Sequence, residues 1–356
     1  MIDMSFMSKF LVQGADAGRV LDWLATARVD GPDGTISYTQ FLSPCGTIEA
    51  DLTVTKLPLR AQGAASEGFL VVATDTAHRH VEMLLRRGIE DYGGCGGTAA
   101  FATVSDVTGA FAQINLQGPR SRELLGKITS ASVSDEAFPF RAARSIDIGC
   151  ATLTATRITY VGELGYELFV PVESAAHVYD TIVEAGAPLG LAHAGLKALS
   201  SLRMEKGYRD YGHDLDNLDT LYEAGLGFTA DYDKAGGFVG QAATLAQREE
   251  MRGGGLSRRM VQVLLSDPEP LMYHGEIVYR DGEVVGDVRS ASYGHTLGGS
   301  VGLAMVRRGA NEADGPVDAS WVRSGAWEVD VAGTRHAARA SLRPLYDPRN
   351  ERIKGV

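Results

Sequence analysis

One carboxylate on an otherwise apolar strand constrains this chain more than any other feature. The run Tyr160-Val161-Gly162-Glu163-Leu164-Gly165-Tyr166-Glu167 spaces two glycines as a tight turn needs, then delivers Glu167 onto a strand continuing as Leu168-Phe169-Val170. A lone glutamate there must find donors, because an unpaired buried charge is costly. Either the strand lies at the surface with Glu167 in water, or the fold builds a polar recess around it.

At 356 residues the chain exceeds what one hydrophobic core usually serves, so two or three domains are expected. Hydrophobic residues at 44% and charged ones at 22% place it with globular rather than disordered or membrane chains. No apolar run approaches the roughly 18 residues a bilayer span requires. The first residues, Met1-Ile2-Asp3-Met4-Ser5, lack an export pattern, which makes a cytoplasmic location the expectation. A net charge of -11 argues against nucleic acid as a partner, since that affinity rests on basic neutralisation of phosphates. Cys45, Cys95 and Cys150 are widely spaced and form no CxxC, so they read as reduced, mostly packed thiols.

Alternation predicts strands over Ile36 to Phe41, Ile48 to Leu57, Gly68 to Thr74, Ala110 to Leu116, Ala151 to Thr159 and Tyr166 to Val170. Helical stripes follow from about Thr76, whose hydroxyl can cap the first, ending before Gly93-Gly94-Cys95-Gly96-Gly97. Others begin after Gly118-Pro119 and cover about Ser174 to Glu184 and His193 to Lys206. Two passes of strands plus two helices predict paired α+β units with antiparallel sheets. Beyond about residue 256 come short strands at Met260 to Leu265, Glu276 to Tyr279, Val284 to Arg289 and Val301 to Val306, with an Asp281-Gly282 hairpin signal. They predict a small β-barrel or sandwich, reached by a linker over Gln247 to Arg258.

Several of these pieces resemble the folate-binding aminomethyltransferase family, which includes the glycine-cleavage T-protein and the C-terminal folate domains of dimethylglycine and sarcosine dehydrogenases. The resemblance rests on the Glu167 run, Ile2-to-Met7, Tyr38-Thr39, Gly46-Thr47-Ile48-Glu49-Ala50-Asp51-Leu52, Leu116-Gln117-Gly118-Pro119, Ser201-to-Gly207, Glu223-to-Leu226, Gly286-to-Ser290 and Pro344-Leu345-Tyr346. Its finer match, through Asp75-to-His80, Val104-to-Thr108 and Glu205-to-Arg209, is to the dehydrogenase-type domains. It implies an α+β fold in a three-domain cloverleaf: 1–46 with 139–252 as a discontinuous folate-binding unit, 47–138 as a second α+β unit, and 253–356 as a β-barrel.

By that resemblance Glu167 reads the pterin of tetrahydrofolate, and Asp106 approaches the folate nitrogens to steady charge or pass a proton. The residue-level alternative for Asp106 is an Asx-turn. Tyr160, Tyr166 and Tyr346 either line an aromatic slot for the ligand or pack in the core. The implied activity is a tetrahydrofolate-dependent methyl or methylene transfer from a small methylated amine or related donor. No flavin-binding GxGxxG is present and the chain starts almost on the Asp-x-Ser strand, so a flavoprotein dehydrogenase partner is implied for any redox step. Where the T-protein has a folate-fixing arginine this chain has Leu199.

Two other readings stay open. One is a non-enzymatic folate-binding or assembly protein like the iron–sulphur assembly factors, weakened because Lys234-Ala235-Gly236-Gly237-Phe238-Val239-Gly240-Gln241 lacks the cysteine of their motif. The other is a degenerate relative recruited to other chemistry. No metal site is expected. His78 and His80, two apart on a helix, face different directions and read as solvent-exposed, and His213-Asp214-x-Asp216 reads as a capped turn.

Overall fold

The computed structural model describes residues 1–57, 67–93, 99–253, 255–309 and 315–355. Two five-stranded antiparallel sheets and a closed six-stranded barrel make up the architecture. The first sheet runs in the order Ile2–Asp3, Phe111–Gln117, Gly165–Pro171, Ala151–Thr156, Ala143–Ile148. The second runs Ile36–Leu42, Ile48–Lys56, Glu67–Ala73, Ser8–Gly14, Thr103–Asp106.

Strand periodicity decides which residues face the cores and which are left for chemistry. In the first sheet Ile114, Leu116, Tyr166, Leu168 and Val170 pack with Leu124 and Leu125 of helix Ser121–Ile128 and Val178 and Ile182 of helix Ala175–Gly186. That turns Gln113, Asn115, Glu167 and Phe169 to the opposite face. In the second sheet Phe10, Val12, Ala50, Leu52, Val54, Phe69 and Val71 pack under helices Ala17–Leu24 and His78–Asp91. Lys9, Glu49, Asp51, Leu70 and Val72 therefore face the other way. Leu70 and Val72 meet Phe169 in a small apolar contact, so the two helix-free faces look at each other. Burying each of these side chains contributes at most about 1.5–3 kcal/mol.

The barrel comprises Arg258–Leu265, Ile277–Arg280, Glu283–Gly294, Gly299–Arg307, Trp327–Val331 and Thr334–Ser341. Asp281 and Gly282 both have positive φ, 53° and 85°, and join Arg280 to Glu283 as the predicted two-residue hairpin. Helix Leu196–Glu205 clamps the barrel to the sheets. Arg203 pairs with Asp214, both almost wholly buried, and Lys206 pairs with Asp347 at 3.0 Å. Glu205 accepts the backbone N–H of Thr296 and Leu297, each at 2.7 Å, and Gln262 Nε2 donates to Met204 O at 2.6 Å. The Ser201-to-Gly207 run is thus a docking device, and removing one partner of its buried ion pair is expected to cost about 3–5 kcal/mol.

Strand pairing redraws the expected domain division. Leu42 pairs with Ile48 and Ser8–Gly14 pairs with Glu67–Ala73, so residues 8–42 belong with the second sheet rather than with 139–252. Conversely Phe111–Gln117 pairs with Gly165–Pro171 and leaves the 47–138 unit. Hydropathy along the chain does not report which strands exchange hydrogen bonds. Most of the expected linker is helix Gln241–Gly253, whose one wholly buried side chain, Thr244, explains why no hydrophobic period marks it. Thr76 caps nothing; its hydroxyl bonds Thr74 Oγ1 at 3.1 Å within the turn Asp75–Ala77. Cys45 and Cys150 are free but exposed rather than packed, while Cys95 and the Gly94-to-Gly97 run lie outside the described residues.

Candidate functional site

The polar face of the first sheet is organised around Glu167. Asn115 lies directly across the ladder from it, and Gln113 is opposite Phe169, two residues along on the same face. Gln113 Nε2 donates to Glu167 Oε2 at 3.1 Å and Asn115 Nδ2 to Oε1 at 3.2 Å, so both carboxylate oxygens are held. Burial pushes this carboxyl up to about 7, against the Asn115 and Gln113 bonds and the Lys9 charge, all of which favour the anion. Lys9 is itself fully buried, with Nζ on Ser5 O at 3.0 Å and Met7 O at 2.7 Å. Burial pushes its ammonium down to about 8, opposed by Asp3, Asp106 and Glu167. Gly165 is required at the turn into this strand, since a Cβ there would sit 2.0 Å from Gln117 Oε1.

A second carboxylate occupies the facing sheet. Asp51 accepts from Gln40 Nε2 at 2.7 Å and from Tyr38 OH at 3.1 Å. Burial pushes it up to about 7, opposed by those two bonds and by the Arg209 charge and reinforced by Asp210. Arg209 is held by Ala224 O at 3.0 Å and by Gly207 O. Tyr160 donates to Arg209 O at 2.8 Å, and its ring stacks on Tyr208 with centroids 6.2 Å apart. It also packs with Ile2, Met4, Val161 and Leu199, so it bridges the edge of the first sheet and the Asp51 neighbourhood. Leu199 completes that apolar cluster.

The remaining expected residues fall elsewhere. Tyr166 is wholly buried, 5.4 Å from Phe138 between ring centroids, and has the core role rather than the slot role, because adjacent strand positions point to opposite faces. The Tyr346 hydroxyl donates to Glu163, which ties the C-terminal segment to the turn before Glu167. Asp106 ends its strand exposed, and its Oδ1 accepts from Thr108 N at 2.9 Å, the Asx-turn geometry. Despite a modest burial penalty, the Thr108 hydroxyl and N–H and the His78 ring hold its carboxyl below the usual range. His78 is not simply exposed: it bridges Asp106 Oδ2 at 3.1 Å and Ser8 Oγ at 2.9 Å, while His80 reaches Glu49 at 2.9 Å. Lys234 is also structural, its ammonium on Asp22 O, Ala25 O and Ala27 O at 2.5–3.0 Å. Among the described residues no group of three or more His, Cys, Asp or Glu side chains converges as metal ligands would. None of the described helices is long and apolar enough to cross a membrane.

In the sequence, Asp51 and Arg209 have a place in the runs that carry the resemblance but no site role, and Lys9, Gln113 and Asn115 were not singled out. The signal for Asp51 was the polar phase of Ile48–Lys56, where Glu49, Asp51 and Thr53 alternate with Ile48, Ala50, Leu52 and Val54. Gln113 and Asn115 occupy the same phase of Phe111–Gln117.

A model described as the GCVT N-terminal domain matches residues 1–234, and one for the glycine cleavage T-protein C-terminal barrel domain matches residues 258–347. The chain is 40% identical over 355 residues to a 4-methylaminobutanoate oxidase (formaldehyde-forming) of Paenarthrobacter nicotinovorans, covering 100% of this chain and 39% of that protein. It is 33% identical over 360 residues to the mitochondrial sarcosine dehydrogenase of Homo sapiens, covering 99% and 38%. The chain therefore spans about two fifths of the length of these two relatives. An aminomethyltransferase of Halothermothrix orenii is 32% identical over 309 residues, with 86% of this chain and 80% of that protein covered. In fold, the glycine cleavage system aminomethyltransferase T of Bartonella henselae superposes with a TM-score of 0.79 at 21% identity, covering 98% of this chain and 86% of that one. With both sheets, the barrel and the ordered motifs accounted for, the chain belongs to the glycine-cleavage T-protein (aminomethyltransferase) family.

Proposed function

We propose that the protein is a tetrahydrofolate-dependent one-carbon transferase that takes a methyl or methylene unit from a small methylated amine. The observation that carries this reading is the Glu167 carboxylate, mostly buried, with both oxygens fixed by amides and no full ion-pair partner within 4 Å among the described residues. A 2-amino-4-oxo pyrimidine presents a ring N–H beside an amino N–H at about the spacing of two carboxylate oxygens, so the acceptor set fits the pterin edge. When bound, tetrahydrofolate supplies the nucleophilic nitrogen that receives the one-carbon unit.

The chain's own residues divide the remaining work. Glu167 binds and orients the ring, and Lys9 biases it toward the anion that such a bond needs. Asp51, raised to about 7, is suited to hold a proton on either oxygen and return it near neutral pH, which makes it a better general acid–base candidate than Asp106. The Tyr160 ring and Tyr38 hydroxyl shape the space beside it, and the facing sheets limit water there. Oxidation of the donor amine is assigned to a flavoprotein dehydrogenase partner, in keeping with relatives that are an oxidase and a dehydrogenase.

The test is incubation of the purified protein with tetrahydrofolate and a panel of N-, O- and S-methyl donors, with and without a flavin amine dehydrogenase, followed by mass spectrometry of the folates. Methyl- or methylene-tetrahydrofolate is expected from N-methyl amines, at rates that depend on this protein. No protein-dependent product from any donor would end the reading.

A further inference from the structure

The amides that hold Glu167 carry an unspent acceptor each. Gln113 is 2% exposed and Asn115 fully buried, yet Gln113 Oε1 and Asn115 Oδ1 have no hydrogen-bond partner among the described residues. Buried carbonyl oxygens are rarely left so, and an unpaired one costs free energy that a ligand donor would recover. Because an amide is planar, each oxygen lies only about 2.3 Å from the nitrogen that bonds Glu167. The two therefore flank the carboxylate on the helix-free face. Gln117 Oε1 also lacks a partner among the described residues, but it is packed where a Cβ on Gly165 would be.

The ligand chemistry leaves a matching donor. Along a 2-amino-4-oxo pyrimidine edge the ring N–H and one amino N–H saturate a carboxylate in parallel, and the second amino N–H points onward along the edge. Glu167 alone cannot satisfy it. We propose that Gln113 and Asn115 are specificity-determining residues: they hold opposite oxygens of Glu167, so the one at the amino end of the edge takes this outer N–H on its free carbonyl oxygen, and the site selects rings bearing an exocyclic amine beside a ring N–H. The inference rests on the tetrahydrofolate reading of the Glu167 site. A site built to hydrogen-bond a ligand N–H discriminates strongly against analogues that lack it, because its buried acceptors are then left unpaired.

The test is calorimetric titration of the full chain with tetrahydrofolate and with its 2-desamino-2-methyl analogue. Gln113→Met, Asn115→Leu and the double variant are compared with wild type, and thermal melting establishes which are folded. Wild type is expected to favour tetrahydrofolate by at least about tenfold, and the folded variant of the amide at the amino end to lose about three- to tenfold against tetrahydrofolate but under about twofold against the analogue. Equal losses against both ligands would show that the amides only position Glu167, and unchanged affinities would show that their oxygens read nothing. Either result overturns this inference while leaving the folate reading intact. Absence of tetrahydrofolate binding by wild type would bring down both. Should both single variants fail to fold, wild type is titrated with the 2-methylamino analogue of tetrahydrofolate, which keeps the ring N–H and one amino N–H for Glu167 but lacks the outer one; a loss of about three- to tenfold is expected, and equal affinity would overturn the inference.

Discussion

The two inner faces treat their carboxylates differently. Glu167 on the first sheet is held by two neutral amides with a buried lysine nearby, whereas Asp51 on the second is held by an amide and a tyrosine hydroxyl beside a buried arginine. Burial raises both to about 7, so either can change charge near neutrality. Their surroundings separate their uses. The amides around Glu167 offer a planar, rigid edge suited to recognising a ring, while the hydroxyl and guanidinium near Asp51 form a network through which a proton can be held or passed. Asp106 provides the contrast: exposed and spent on its own turn, it is held low and has no reason to titrate near 7.

The largest effect that distinguishes these roles is expected from Asp51→Asn. Turnover should fall by about 10²–10⁴-fold, with folate affinity changing by less than about threefold. A variant that instead lost affinity and kept turnover would exchange the roles of the two faces.

The next largest effect is in pH. Since the recognising form of Glu167 is the anion, tetrahydrofolate affinity should be level above pH 8 and fall by up to about tenfold per unit below pH 7. Unliganded stability runs the other way. Both carboxyls bind their protons more tightly folded than unfolded, so their contribution is fully present below the unfolded values near 4 and is lost as pH climbs through about 7. The melting temperature of Glu167→Gln should therefore fall less between pH 5 and 8 than that of wild type. Parallel curves would mean that Glu167 titrates alike in both states.

The smallest effect is expected from Asp106→Asn. An asparagine side chain still accepts the Thr108 N–H, so turnover should stay within about twofold and stability within about 1 kcal/mol. A loss of a hundredfold in turnover would return Asp106 to the chemistry.

How much of this the sequence disclosed follows from the range of each interaction. The Asp281-Gly282 hairpin, the strand at Ile48 and the stripe through Val81, Leu85 and Gly88 are local, and their periods and turn residues were readable. Glu167 was readable for the same reason, because its turn and its strand are contiguous. Asp51 was visible as a polar phase but not as a site, since what buries it arrives from Tyr38, Gln40 and Arg209 in three separate segments. Asp106 was ambiguous because Val104-to-Thr108 carries the same residues whether its carboxylate faces a cleft or caps its own turn. Sheet membership was illegible for a similar reason, as strand exchange between residues 8–42 and the second sheet leaves no mark on hydropathy.

The central claim is that Glu167 grips the pyrimidine edge of a reduced folate. Equilibrium titration of tetrahydrofolate into wild type and Glu167→Ala at pH 8 tests it most directly. Losing a charge-assisted pair of bonds worth about 1.5–3 kcal/mol predicts affinity lower by about 10- to 150-fold in the variant, with the melting temperature of the unliganded protein unchanged or raised. Equal affinity in the two proteins would contradict the account.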